Sequence, residues 1–257
     1  MHPTVLVYHK VDDNFEWGLT RVTPKSFKNQ IRILKEDGFR FITTSELANS
    51  DPAEKVVVIT FDDAYESVYD NAFPILKDEN IPATIFVISD YVGELNTWDL
   101  NVGNLKFPHA TWEQLKVLLD AGWEIGSHTK THKDLRSLSD DDLKSELRES
   151  KEQLESKLDI TVESLSFPFG RANDREFKAA IEADYKNGSI FYPIFNHFNA
   201  EHEAFMIRRL GVYLWDTKVF FRGKYGKNPL KGFEILKQNI INTFAGITIA
   251  TLKSSDK

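Results

Sequence analysis

Short, almost uninterrupted apolar runs alternate along this chain with longer amphipathic segments, and that rhythm limits its fold more than any other feature. The runs are Thr4–Tyr8, Val56–Phe61, Ala83–Ile88, Trp123–Gly126, Ser164–Phe167, Ser189–Tyr192, Ile207–Gly211 and Gly246–Leu252. Several are near-continuous Val, Ile and Phe, the pattern of strands covered on both faces rather than wetted on one. Between them lie segments with readable helix ends. Thr23-Pro24 supplies an N-cap and a proline at the first helical position; Phe27, Ile31 and Leu34 form one stripe, and Gly38 ends it. Ser139 opens another helix, with Asp140–Asp142 in its first turn, where the positive dipole end favours acids. Its stripe is Leu143, Leu147, Leu154 and Leu158, and the remaining, mostly charged positions read as a solvated outer face. Ala64–Asp78, Thr111–Ala121 and Asp174–Asp184 complete the alternation. Strand–helix–strand repetition over 257 residues predicts a parallel α/β barrel, with an open doubly wound sheet as the alternative. Neither a Gly-x-Gly-x-x-Gly nor a phosphate-loop lysine motif occurs, which weakens nucleotide-binding versions of the open sheet. No linker or repeat divides the chain, so 1–257 reads as a single domain with a mobile tail at 253–257.

Composition narrows the chemistry. The chain has no cysteine, which excludes disulfides, a thiol nucleophile and Cys-ligated zinc. A net charge of −7 lacks the basic footprint of a nucleic-acid binder. No run approaches eighteen apolar residues, so no membrane span is expected. Met1–Thr4 leads straight into an apolar stretch without the charged start, apolar region and cleavage site of an export signal.

The strand ends carry the reactive residues, as they do at the active face of a parallel barrel. Val56–Phe61 runs into Asp62-Asp63. Two carboxylates after six largely apolar residues are costly unless they bind a cation, share a proton or cap the next helix. Trp123–Gly126 runs into Ser127-His128-Thr129-Lys130-Thr131-His132. Histidines at i and i+4 on a helical turn face the same way and can chelate one ion. The glutamate of an HExxH motif is missing, since Thr129 holds its place, so a base must come from Asp62 or Asp63. Two His and a carboxylate leave coordination positions open, as in a catalytic zinc site, although iron(II) oxygenases use the same set. The second carboxylate favours hydrolysis, because attack by water needs a proton acceptor. In Leu165-Ser-Phe-Pro-Phe-Gly170, proline and glycine turn the chain so that a backbone N–H can face an oxyanion.

Thr60-Phe-Asp-Asp63, His128-x-x-x-His132 and Phe167-Pro-Phe-Gly170, in this order and at strand ends, resemble the first three motifs of the polysaccharide deacetylase family. That is the NodB-homology domain, carbohydrate esterase family 4; the resemblance covers about Thr4 to Leu210. It implies an irregular (β/α)7 barrel and metal-dependent removal of N-acetyl groups from a polysaccharide. It implies Asp63, His128 and His132 as ligands of a divalent ion, zinc above others, Asp62 as the general base, and the Phe169 N–H as an oxyanion donor. Two departures stand out. Many members pair the base with an arginine in the third motif, where this chain has Ser166, and many carry a Leu-x-His on the last strand, whereas no histidine follows His202. Val7-Tyr-His9, with Val22-Thr-Pro24 and Phe27, resembles the circularly permuted poly-N-acetylglucosamine deacetylase branch, which makes His9 the general acid. The first strand would then lie beside the last.

Trp98, in the long connection Tyr91–Ala110, is expected to meet substrate, together with Phe167 and Pro168. Phe191, Tyr192, Phe195 and Phe198, near His197 and His202, read mainly as core, and Asn187-Gly-Ser189 as a turn ahead of a strand. The expected partner is an N-acetylated glycan containing N-acetylglucosamine, with no nucleic acid, and the resemblance suggests an extracytoplasmic or cell-surface location. The departures keep two other readings open: a non-catalytic glycan-binding relative that retains the metal site, and a metal amidohydrolase for small N-acyl compounds.

Overall fold

The computed structural model describes residues 3–16, 19–51, 53–98, 105–192, 198–225 and 230–241. Seven parallel strands close into a ring in the order β1 (Thr4–Tyr8), β10 (Met206–Gly211), β9 (Asn187–Phe191), β8 (Ser164–Ser166), β7 (Glu124–Ser127), β6 (Thr84–Val87) and β5 (Val56–Phe61). β5 closes the ring by pairing with β1 from Thr4↔Val57 to Tyr8↔Phe61. The first strand does lie beside the last, with Leu6 opposite Leu210 and Val7 opposite Gly211. An eighth strand, β4 (Arg40–Ile42), makes the barrel irregular. It pairs with Val56–Val58 on the same edge of β5 whose far end takes β6 at Thr60 and Phe61. A further short ladder joins β2 (Lys10–Val11) to β3 (Arg21–Val22).

Helices surround the ring where their caps and stripes place them. Thr23 Oγ1 accepts the Ser26 N–H and opens α1 (Pro24–Glu36), which buries Phe27, Ile31 and Leu34. Each such side chain contributes about 1.5–3 kcal/mol through burial. Phe27 sits edge-on to Tyr8 at 5.1 Å and 5.8 Å from Phe61, locking α1 onto β1 and β5. Helices α3 (Trp112–Asp120), α4 (Asp140–Leu158) and α5 (Asp174–Glu182) likewise begin at Thr111, Ser139 and Asn173. α6 (Ala200–Phe205) and α7 (Lys218–Gly223) flank β10, and 230–241 is helical. Among the described residues no helix is long and apolar enough to cross a membrane.

Three expectations need correcting. Ala64–Asp78 is not one helix: Ala64 is left-handed, and a π-type turn at Val68–Ala72 precedes α2 (Phe73–Lys77). Pro74 has no N–H to offer the Asp70 carbonyl, and the turn before it widens. Asn187-Gly188 is not a turn but the start of β9. Gly188 is needed there for close approach, because a Cβ would stand 2.4 Å from the Phe205 ring and 2.6 Å from Phe167. The outer helix α4 is not solvated on all its charged positions, since Glu146 is buried. Gly246–Leu252 and the 253–257 tail lie outside the described residues.

The helical segment 230–241 grips the end of β10. Gln238 accepts the Gly211 N–H at 3.1 Å and donates to the Arg209 carbonyl at 3.3 Å. Buried Lys224 meets Glu234 and Asp216, and Lys237 bridges the same two acids, so each buried charge there is paired.

Candidate active site

At the carboxyl end of the barrel, β5 stops at Phe61, and the Asp62 N–H still donates to the Tyr8 carbonyl at 2.9 Å. The Asp62 side chain is buried and held edge to edge by Arg209 from β10, Nη1 to Oδ1 and Nη2 to Oδ2, both 2.7 Å. The guanidinium also donates to Thr60 Oγ1 at 3.1 Å and Ser166 Oγ at 2.7 Å. Ser166 Oγ lies 3.2 Å from Asp62 Oδ2. Burial pushes the Asp62 carboxyl up, but the Arg209 charge, helped by His128, outweighs it and holds the group below the usual carboxylate range.

Asp63 turns the other way. Its φ of 69° and the 54° of Ala64 put two non-glycine residues in the left-handed region, at a cost of order 1–3 kcal/mol each. His109 braces this turn: its Nδ1 contacts the Asp63 carbonyl at 2.6 Å, and its Nε2 accepts Trp98 Nε1–H at 3.2 Å. Burial lowers the His109 pKa, which keeps the ring neutral, with the proton on Nδ1 as both contacts require.

His128 extends the β6–β7 ladder by donating its N–H to Val87 at 2.8 Å. Its Nδ1 lies 2.8 Å from the Ser166 carbonyl, which fixes the proton there and leaves Nε2 as a lone pair. The His128–His132 segment is not the helical turn expected from its spacing. It is a loop with Thr129 at φ 66° and His132 at φ 60°, and these two left-handed residues fold the second ring back onto the first. The Thr129 N–H donates to Ser127 Oγ and the His132 N–H to Thr129 Oγ1, so the loop is tied to itself.

The three side chains converge. Asp63 Oδ1 lies 3.3 Å from His128 Nε2 and 3.5 Å from His132 Nε2, buried and without a hydrogen-bond donor. With both rings neutral, these are three acceptor atoms at a spacing where they repel one another, and a cation between them removes the repulsion. An ion with bonds of about 2.1 Å to tetrahedral ligands separates those ligands by about 3.4 Å, so the group fits a zinc-sized ion. The ligand atoms lie within 4.8 Å of one another, a set that could hold a metal ion. Burial raises the Asp63 carboxyl, but the adjoining imidazoles prevail and its pKa is lowered. Burial lowers His128, yet Asp62 and Asp63 carry its pKa above the usual value; burial and the neighbouring His128 push His132 down to about 3.

A cavity of about 170 Å³ opens above this cluster. His9, Trp98, Phe169, Phe191 and Tyr213 line it along with the two aspartates and two histidines. The Trp98 ring is half-buried, its centroid 3.9 Å from that of His132. Phe169 has a φ of 59° and the next residue, Gly170, 62°. A Cβ on Gly170 would stand 2.0 Å from the Phe191 ring. Phe167 and Pro168, expected to contact substrate, do not line the cavity; Phe167 is fully buried, its ring 5.1 Å from Phe177. Phe198 also packs edge-on against Phe177, and His202 pairs with Asp174, while Phe195 and His197 lie outside the described residues.

Two residues of the site escape the sequence reading. Arg209 had a signal: consecutive arginines in an apolar strand must point to opposite faces, so one enters the barrel and needs an anion. Arg208 takes the outer face and pairs with Glu203. His109 had no signal, because nothing local to it announces contact with a turn 46 residues earlier.

A family model described as polysaccharide deacetylase matches residues 49–188. YxkH of Bacillus subtilis is 31% identical over 189 residues, covering 72% of this chain and 62% of that protein. The poly-beta-1,6-N-acetyl-D-glucosamine N-deacetylase of Staphylococcus epidermidis is 32% identical over 174 residues, covering 62% of this chain and 57% of that one. The chain thus spans about three-fifths of the length of these curated relatives. Among solved structures, the Streptococcus pyogenes deacetylase PplD in complex with acetate superposes with a TM-score of 0.68 at 27% identity, over 82% of this chain and 92% of that one. The matched segment contains the Asp-Asp, the histidine pair and the Pro-Phe-Gly turn that surround the cavity, and on that ground the chain belongs to the polysaccharide deacetylase family.

Proposed function

We propose that this protein hydrolyses the acetamide groups of a polysaccharide containing N-acetylglucosamine, with a divalent ion, zinc in the first instance, held by Asp63, His128 and His132. The observation that carries the reading is the division of labour between adjacent carboxylates. Asp63 Oδ1 is buried without a donor and faces two imidazole nitrogens, while Asp62 is clamped by Arg209. When bound, the ion supplies Lewis acidity, making water easier to deprotonate and favouring negative charge on the acetyl oxygen. Asp62, kept ionised by Arg209, takes the proton from the attacking water at a carboxylate oxygen. The Phe169 N–H donates to the developing oxyanion from the left-handed turn. His9, facing the cavity from the end of β1, gives its proton to the departing amine nitrogen as the C–N bond breaks. Trp98 offers a ring face to the sugar. The relative from S. epidermidis, named for poly-beta-1,6-N-acetyl-D-glucosamine, supports this substrate class. A cell-surface polymer of that kind would place the reaction outside the cytoplasm. The missing third-motif arginine spoke for a non-catalytic binder, and Arg209 offsets it by bringing the same charge to Asp62 from β10.

The test is release of free acetate from N-acetylglucosamine oligomers by the protein loaded with zinc or cobalt. Acetate formation that is lost in Asp63→Ala is the expected result. No acetate with either metal, and no difference between wild type and Asp63→Ala, would sink the reading.

A further inference from the structure

Helix α4 turns three polar residues inward, toward the loop that carries the two histidines. Glu146, Ser150 and Gln153 follow one another at i, i+4 and i+7 and so share a face. Glu146 is 6% exposed and Ser150 fully buried. Glu146 Oε2 accepts the backbone N–H of Lys130 at 3.0 Å and of Thr131 at 2.9 Å, and its Oε1 accepts the Thr131 hydroxyl. Ser150 Oγ is 2.8 Å from Ser127 Oγ, the atom that receives the Thr129 N–H. Gln153 donates to the Ser89 carbonyl at 3.2 Å, and the Ser89 and Asp90 N–H groups in turn donate to the carbonyls of Thr129 and Lys130. The loop between His128 and His132 is thus held at nearly every polar atom by groups that belong to neither metal ligand.

We propose that Glu146 is a positioning residue that sets the affinity of the Asp63–His128–His132 centre for its ion, by holding the loop in the conformation that brings the imidazoles together. This rests on the metal reading above. Left-handed residues stand on both sides of the two N–H groups that Glu146 collects, Thr129 before and His132 after. The loop's own ties, at the Thr129 and His132 N–H groups, leave those of Lys130 and Thr131 to Glu146: without the carboxylate, two half-buried N–H groups lose their acceptor and the loop has reason to relax. Relaxation swings His132 away from Asp63, and the ion loses a ligand. A carboxylate taken out of water is itself tolerated only because three donors meet it, so the demand is mutual. The two N–H groups need one acceptor oxygen at the right reach rather than a negative charge; an amide of equal length supplies that oxygen, and its NH2 can donate to the Thr131 hydroxyl oxygen in place of the present contact.

The experiment compares the full chain with Glu146→Ala, Glu146→Asp and Glu146→Gln, measuring zinc affinity by chelator competition and amide hydrogen exchange in the metal-free proteins. Alanine and aspartate should weaken zinc binding about 10–100-fold, the usual scale for groups that orient metal ligands. Both should also speed exchange at the Lys130 and Thr131 amides, and glutamine should restore both measurements to within a few-fold of wild type. Wild-type zinc affinity and slow exchange in Glu146→Ala would overturn the proposal. So would glutamine failing where aspartate succeeds, because charge and not reach would then be what matters. Should the alanine variant not fold, the aspartate and glutamine pair decides. A wild-type chain that binds no zinc would overturn the metal reading, and the affinity role with it; zinc binding that ignores Glu146 overturns the role alone.

Discussion

Arg209 and Asp62 stand 147 residues apart in the chain and meet side by side inside the barrel, two parallel hydrogen bonds of 2.7 Å joining guanidinium to carboxylate. They meet because β5 and β10 flank β1 on opposite edges, so that closing the ring brings the ends of both strands to one cavity. The pair does two things at once: it neutralises a buried acid and it keeps that acid ionised.

Removing the arginine should therefore act on stability and on the pH profile together. Arg209→Met strands a buried carboxylate and should cost about 3–5 kcal/mol near neutral pH. In the wild type the depressed Asp62 contributes stability above its unfolded-state value near 4 and loses it as pH falls through the folded value. Without the guanidinium, burial is opposed by the weaker pull of His128 and the Asp62 pKa moves up, so the variant suffers least in acid. Urea midpoints of the two proteins should differ most at pH 7 and converge below about pH 4, and the acid limb of the acetate-release profile should move to higher pH. A gap that stays constant across that range would refute this account of the pair.

Metal removal should be visible in melting as well as in catalysis. An ion that binds only the folded chain adds about 2.7 kcal/mol when present at a hundred times its dissociation constant. Zinc should raise the melting temperature of the wild type, and a chelator should reverse the rise. Asp63→Ala should show neither response; an equal rise in that variant would place the ion elsewhere.

His9 should matter in proportion to how badly the leaving group needs a proton. Glutamine at this position should slow acetate release from an N-acetylated oligosaccharide by about 10²–10⁴-fold, the usual worth of a general acid. An activated aryl acetate, whose leaving group departs unprotonated, should be hydrolysed at close to the wild-type rate. Equal losses on both substrates would mean that His9 shapes the cavity instead of donating to the amine.

Gly170 should tolerate no side chain. Its φ of 62° and the 2.0 Å approach of Phe191 to a notional Cβ combine strain with overlap. Gly170→Ala should lower stability by roughly 1–3 kcal/mol and displace the Phe169 turn. Thermal melting and acetate release read the two effects separately. The double variant with Phe191→Ala should recover stability if overlap is the larger part, and should not if the backbone angle is.

How far the sequence could be read depended on whether a residue's task is local. Val56–Phe61 announced a doubly covered strand, and Thr23-Pro24 and Ser139 announced helix starts, because those signals lie within one turn or one strand of what they specify. Asp62-Asp63 and the histidine pair were legible for the same reason: charged and ligating side chains at the ends of apolar runs are costly to bury unless chemistry or a helix cap employs them. The loop geometry was not legible, since spacing of four suggests a helical turn, and the left-handed alternative at Thr129 and His132 is met by contacts from distant elements, α4 and the Ser89–Asp90 turn among them.

By itself, then, the sequence determined the strand–helix alternation, the barrel class and the five polar side chains Asp62, Asp63, His128, His132 and His9 that surround one cavity. Tertiary structure alone decided that Arg209 answers Asp62, that His109 braces the Asp63 turn, that Glu146 faces inward, and that Phe167 packs into the core. The physical reason is range. Alternating polarity and helix caps act between neighbours in the chain, whereas the partner of a buried charge is whichever group barrel closure carries to it.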